Sequence, residues 1–299
     1  MQRLPDLDIL HTQEDLKPYE CDGLSAYRSP PMLVVLPERI EQVQQLLKLC
    51  HARGVPVVAR GAGTGLSGGA LPLEQGILLV MARFNQILEI NREGRFARVQ
   101  PGVRNLAISQ AAAPFDLYYA PDPSSQIACS IGGNVAENSG GVHCLKYGLT
   151  ANNVLGVEFV TIEGEIIRLG GKHLDSEGYD LLGLLTGSEG LLGVVTEVTV
   201  RILQAPETAR AVLLGFPTSE QGGQCVADII AKGIIPGGME MMDRFAIQAE
   251  GASSYNALAM GLSRILTPKA DLPRDPVLLQ QQDRFEEAAI YPWTVEVLR

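Results

Sequence analysis

Three glycine-rich stretches carry the residue types that could bind and orient a ligand. The first, Arg60-Gly-Ala-Gly-Thr-Gly-Leu-Ser-Gly-Gly69, contains Gly63-Thr-Gly65-Leu-Ser-Gly68 and so matches the G-x-G-x-x-G pattern of dinucleotide sites. The second, Pro121–Gly141, holds Pro-Asp-Pro, the pair Ser124-Ser125, the doublets Gly132-Gly133 and Gly140-Gly141, and the amides Asn134 and Asn138. The third runs from Gly187 to Gly193. Glycine lets a backbone approach a ligand that a Cβ would hold off, and successive inward-turned N–H groups form a concave nest for phosphate. Prolines stiffen such loops and serines add hydroxyl donors. The economical reading is one long, flat, phosphate-bearing ligand between two subdomains, its pyrophosphate on backbone amides and its ring on Ile131-Gly-Gly-Asn134.

Groups suited to proton transfer or metal binding are sparse. The histidines are His11, His51, His143 and His173, none at metal-ligand spacing. His143 lies in a glycine loop beside Cys144, and reads as a hydrogen-bonded structural residue ahead of a functional one. Asp175, Glu177 and Asp180 read as a solvated face, as do Glu240 and Asp243 at helical spacing. No acid–base residue and no metal ligand is assigned.

The elements that must position these loops follow from patterning. Met32–Leu36 and Val55–Val58 are apolar strands flanking a helical pattern of Ile40, Val43, Leu46, Leu47 and Cys50, which Gly54 ends. Ile77–Met81 and Ala97–Gln100 are further strands, and Val103–Ala113 is a helix stopped by Pro114. Val154–Ile162 and Ile166–Leu169 form a hairpin around Glu163-Gly164, and Val194–Ile202 alternates as a half-buried strand. The expected class is α+β: a small α/β subdomain followed by an antiparallel sheet with helices.

The helix that makes G-x-G-x-x-G work is missing. A Rossmann unit needs a helix directly after the glycines, with an acid about 20 residues on. Glu89 satisfies the second condition, but Ala70–Gly76 is short and carries Pro72. NAD binding of the Rossmann type is therefore disfavoured, whereas an amide nest is retained.

The chain has 299 residues, 46% hydrophobic and 19% charged, enough for about two domains. A net charge of −10 offers no basic footprint for nucleic acid. Five cysteines, never in C-x-x-C, suit a reducing cytoplasmic compartment rather than a disulfide frame. The acidic, proline-bearing start is no signal peptide, and no apolar run reaches membrane-spanning length.

The stretches "RGAGTGLSGGALP", "APDPSSQIACSIGGNVAENSGG" and "TGSEGLLGVVTEVTV", in this order, resemble the FAD-binding domain of the vanillyl-alcohol oxidase type. Within it they are similar to the family of the FAD-linked subunit of bacterial glycolate oxidase and the D-lactate and D-2-hydroxyglutarate dehydrogenases, over roughly residues 15–250. The resemblance implies non-Rossmann FAD binding between two subdomains. Gly61, Ala62, Gly63, Thr64, Gly65, Leu66 and Ser67 would wrap the pyrophosphate. Pro121, Asp122, Ser125, Gly132, Gly133, Asn138, Ser139 and Gly140 would approach flavin and ribityl, and Glu189, Gly190 and Val195 would hold the adenine end. Thr64 stands where some relatives carry a flavin-linking histidine, implying dissociable FAD.

The implied organisation is a leader (1–30), an FAD-binding domain (31–204, subdomains about 31–105 and 115–204), the start of a substrate-binding cap (205–250) and an atypical tail (251–299). The implied activity is oxidation of glycolate or a related D-2-hydroxy acid, with electrons passed to a second flavin subunit and an iron–sulfur subunit. The implied location is cytoplasmic, or peripheral at the inner membrane through those partners. No histidine follows His173, where the family's cap carries a metal-binding cluster, so the sequence is expected to lack most of the cap. The alternatives are an FAD-binding chain without turnover and another flavoenzyme on the same domain, such as an NADPH-dependent reductase.

Overall fold

The computed structural model describes residues 7–173, 178–207, 209–241 and 291–298. The chain divides into two compact units, one of residues 1–141 and 148–205, the other of 142–147 and 206–299. Asp175, Glu177, Asp243 and most of the 251–299 tail lie outside the described residues.

The first unit opens with β1 (Asp8–Leu10), the single-turn α1 (Gln13–Leu16), β2 (Leu33–Leu36), α2 (Ile40–Arg53), β3 (Val57–Arg60) and β4 (Ile77–Val80). These strands form a four-stranded sheet in the order β1-β2-β4-β3, parallel across β2, β4 and β3, with β1 antiparallel at the edge. Its central strands are apolar throughout because both faces are covered. Val35 and Leu79 meet Val43, Leu46, Leu47 and Cys50 of α2, while Val34, Leu78 and Val80 pack with Leu16 on the other side. The spacing of the α2 residues puts them on one helical stripe. The side chain of Gln42 accepts from the N–H groups of Glu38 and Arg39, and Gly54 closes the helix in the left-handed region at φ +63°. Parallel neighbours β3 and β4 are joined by residues 61–76 with no intervening helix, as the proline-bearing link required.

The second sheet contains β5 (Ile87–Asn91), β6 (Phe96–Val99), β8 (Val154–Val160), β9 (Ile166–Gly170) and β10 (Val194–Arg201), wholly antiparallel in the order β5-β6-β10-β8-β9. Here the structure departs from the sequence reading. Residues 87–99 were expected in the first subdomain, yet β6 pairs across the chain with β10, Val99 opposite Val198, and β5 joins the same sheet through β6. Helices α3 (Asn105–Ala112), α4 (Ile131–Glu137) and α6 (Leu181–Leu185) accompany this sheet, and β7 (Leu117–Tyr118) pairs with β11 (Leu203–Gln204). Ile108 and Ala112 of α3 and Ile131 and Val135 of α4 fill one core with Ala97, Val99, Val198 and Val200.

The other unit holds α5 (Cys144–Tyr147), β12 (Ala209–Phe216), α7 (Ser219–Ala231), β13 (Gly238–Met241) and β14 (Tyr291–Leu298). Its strands form a three-stranded antiparallel sheet with β14 between β12 and β13. Thr218 caps α7 by accepting from the Gln221 N–H. Among the described residues no helix is long and apolar enough to cross a membrane.

Candidate functional site

The carboxyl end of β3 delivers the chain into the first glycine loop, the usual place for a ligand beside a parallel sheet. That loop faces α4. A Cβ on Gly61 would collide with Ser130 Oγ, so glycine lets the loop backbone meet the start of the helix without displacing that hydroxyl. The segment Ile131-Gly-Gly-Asn134, read from sequence as loop, is the first turn of α4. It is fixed from below: Ile131 N–H donates to the Val103 carbonyl and Gly132 N–H to the Pro101 carbonyl, each at 2.8 Å. A Gly132 Cβ would stand 2.5 Å from Pro101 Cβ, so close packing already requires this glycine. The third loop hangs on the other end of the same helix. Gly187 N–H donates to the Val135 carbonyl and Glu189 N–H to the Ala136 carbonyl. Glu189 takes the left-handed conformation at φ +53°, uncommon for a residue with a side chain.

The three loops enclose a cavity of about 350 Å³ within the first unit. Of the residues expected at a cofactor, Gly61, Ala62, Gly63, Thr64, Gly65, Leu66, Ser125, Gly132, Gly133, Ser139, Gly140, Glu189, Gly190 and Val195 line it. Four others do not. Ser67 donates to Glu137 Oε2 at 2.7 Å, the Pro121 carbonyl accepts from Asn105 Nδ2, Asp122 backs Gly141, and Asn138 ends α4 in the left-handed region while accepting from Ala151 N–H. The cavity adds residues the sequence reading passed over, including Arg60, Pro101, Ser130, Glu137, Ser188 and Gly193. A serine two places before the glycine doublet carries no local sign that its hydroxyl turns inward.

Ser130 is 4% exposed and its Oγ has no hydrogen-bond partner; the Asn134 side-chain nitrogen is buried with only the Cys129 thiol beside it. A buried hydroxyl left unpaired costs free energy, so polar atoms aimed into a cavity fit a ligand that supplies the missing partners. The charged lining residues are Arg60, Glu137 and Glu189, with both carboxylates converging on Gly69. Burial lowers the Arg60 pKa from its usual value, while Asp22, then Cys21 and Tyr19, oppose that shift. Burial also pushes the Cys129 thiol up, as it does Cys50, which suits packing residues rather than reactive thiols. His143 is buried within the second unit, 6.4 Å from the Tyr147 ring.

Comparison with known proteins places this arrangement. A profile of the FAD binding domain matches residues 31–170, and one of the C-terminal domain of FAD linked oxidases matches 205–283. The chain is 67% identical to glycolate oxidase subunit GlcD of Escherichia coli over 248 residues, 83% of this chain and 50% of that protein. It is 44% identical to the Bacillus subtilis subunit of the same name (76% and 48% covered) and 39% identical to a D-lactate dehydrogenase of Archaeoglobus fulgidus (72% and 48%). It thus spans about half the length of the curated relatives it matches. A solved structure of alkyldihydroxyacetonephosphate synthase superposes with a TM-score of 0.77 at 20% identity, covering 99% of this chain and 54% of that one.

Proposed function

The chain belongs to the FAD-linked oxidases and carries their FAD-binding domain, and on that premise we propose that it forms the cofactor-binding part of a glycolate oxidase subunit. The observation that carries the reading is the three-loop cavity with Ser130 Oγ buried and unpaired in its wall. In this reading the amides of Gly61–Gly65, with Leu66 beside them, wrap the pyrophosphate. Ser125, Ser130, Gly132, Gly133, Asn134, Ser139 and Gly140 approach the flavin and ribityl chain, and Glu189, Gly190 and Val195 hold the adenine end. Ser67, Pro121, Asp122 and Asn138 act one step back by shaping the loops. Thr64 offers no imidazole for a covalent flavin link, so the cofactor is held by these contacts alone.

FAD, when bound, supplies a two-electron acceptor for the hydride on the α-carbon of a 2-hydroxy acid. Oxidation of the hydroxy acid would give the 2-oxo acid, with the hydroxyl proton taken by a base and the electron pair passed on to partner subunits of the same complex, a second flavin subunit and an iron–sulfur subunit. Such partners would bring the protein to the inner membrane from the cytoplasm. Glycolate is the substrate favoured by the 67% identical relative, whose printed name is that of a glycolate oxidase subunit.

The decisive experiment is anaerobic mixing of the FAD-loaded protein with glycolate and with D-lactate. Bleaching of the flavin absorbance by glycolate is expected. No bleaching by either acid rejects hydroxy-acid oxidation by this polypeptide and leaves an FAD-binding chain without turnover; bleaching by NADPH alone points to a reductase. A colourless protein that takes up no added FAD rejects the site itself.

A further inference from the structure

Arg60 ends β3 in register with Val80 of β4, and its side chain lies beneath the first glycine loop. Its Nη1 donates to the Cys21 carbonyl at 2.7 Å, and its guanidinium carbon stands 5.7 Å from the Tyr19 ring centroid. Asp22 is the principal opposite charge acting on it, and Asp22 in turn accepts from the Leu24 N–H at 2.9 Å, holding the Asp22–Leu24 turn. The upper face of the guanidinium is covered by Gly63, whose Cβ would come 2.5 Å from Arg60 Cζ. The same segment touches the loop again from Gly23. A Cβ there would lie 2.6 Å from the Gly65 carbonyl oxygen and 2.7 Å from that of Thr64, both backbone atoms that cannot swing away. Residues 19–23 and 60–65 are therefore two strips of main chain pressed together with the Arg60 guanidinium between them.

A nest binds an anion only while its N–H groups converge, and glycines leave that arrangement weakly specified by the local chain. Something outside the loop must hold it. We infer that Arg60 is a positioning residue which clamps Tyr19–Gly23 against Gly61–Gly65, so that the phosphate-binding amides are set before the cofactor arrives. This rests on the proposed FAD site, and it assigns to the amino-terminal segment a part in cofactor affinity although it lines no wall of the cavity. Preorganisation of this kind lowers the ordering cost of binding.

The test uses the full chain with Arg60→Met, Arg60→Lys and Gly23→Ala, and Arg98→Met as a surface control. Two quantities are read: the Kd for FAD by absorbance titration, and amide hydrogen exchange of residues 61–65 in protein stripped of FAD. Arg60→Met is expected to raise the Kd about tenfold, the scale of one lost charge-assisted hydrogen bond. It should also speed exchange in the loop of the stripped protein. Arg60→Lys should restore neither fully, because a lysine cannot lie flat between Tyr19 and Gly63 while donating to Cys21. Gly23→Ala should reproduce both effects without touching Arg60, and it carries the test should Arg60→Met fail to fold. Unchanged loop exchange in Arg60→Met or Gly23→Ala overturns the clamp, as does full rescue by lysine, which would leave Arg60 a point charge only. Failure of the wild-type chain to take up FAD would instead strike the proposed function, because loop exchange is measured with no cofactor present.

Discussion

Replacing Ser130 by alanine should move two measurable quantities in opposite directions. Ser130 is 4% exposed and its Oγ finds no partner, so the folded protein without cofactor bears the desolvation of that hydroxyl, about 1–3 kcal/mol. Alanine removes this cost and leaves little void, because Ser130 Oγ is tucked against Gly61. A gain of about 1 kcal/mol is expected, which in a unit of this size raises Tm by about 2–4 °C. Binding should move the other way. Loss of a hydrogen bond donated or accepted by Ser130 weakens FAD about three- to tenfold. The FAD-induced rise in Tm should accordingly shrink, since that rise follows the ratio of ligand concentration to Kd. Differential scanning fluorimetry of stripped and FAD-loaded protein, with a parallel flavin titration, reads both. A variant less stable without FAD, with unchanged affinity, would refute the reasoning: Ser130 would then be satisfied inside the protein and its hydroxyl would have no cofactor role.

Gly132→Ala sets helix propensity, worth about 1 kcal/mol in favour of alanine, against overpacking on Pro101, which costs about 1–3 kcal/mol; with only 2.5 Å to the proline Cβ, overpacking should win, and a urea midpoint at or above wild type would contradict this. Because burial raises the pKa values of Cys50 and Cys129, little thiolate is present at pH 8, so both should be alkylated slowly there, with rates climbing as pH rises. Added FAD should protect Cys129, which lines the cavity, and leave Cys50 unaltered, as mass spectrometry of labelled peptides would report. Acid precipitation should release free FAD into the supernatant, and a yellow pellet would refute the non-covalent reading of Thr64. Arg98→Met removes contacts to Glu89 and Glu197 at a partly exposed site and should cost under about 1 kcal/mol, less at high salt.

Local pattern carried the reading wherever neighbours in sequence are also neighbours in space. The α2 stripe, its closure at Gly54, the hairpin around Glu163-Gly164 and the missing helix after Gly69 all follow from spacing and from proline and glycine chemistry. Long-range partners were invisible. Nothing near Ala97 or Val99 says that they pair with Val200 and Val198, about a hundred residues on, and so residues 87–99 were grouped with the first subdomain. The short edge strand β1 has too few residues to show a period. Helix α4 was hidden for a different reason: its glycine doublet argues against a helix on propensity, and the turn forms because Val103 and Pro101 accept its first amides. In the candidate site, glycine-rich motifs marked the loops, but Ser130 became visible only once its neighbours were in place.

The order of strands in the second sheet bears on when the protein becomes competent during synthesis. β10 is the last long strand of that sheet to leave the ribosome, yet it lies at the centre, between β6 and β8. A nascent chain that ends before Val194 has its two outer strand pairs and nothing to join them. Until the final strand inserts, the core behind α4 stays open to solvent, and exposed apolar edges of this sort attract chaperones or one another. With FAD at the proposed site, capture would wait for the end of this domain's translation, and stalled or clipped products are expected as flavin-free, aggregation-prone species rather than as partly loaded ones.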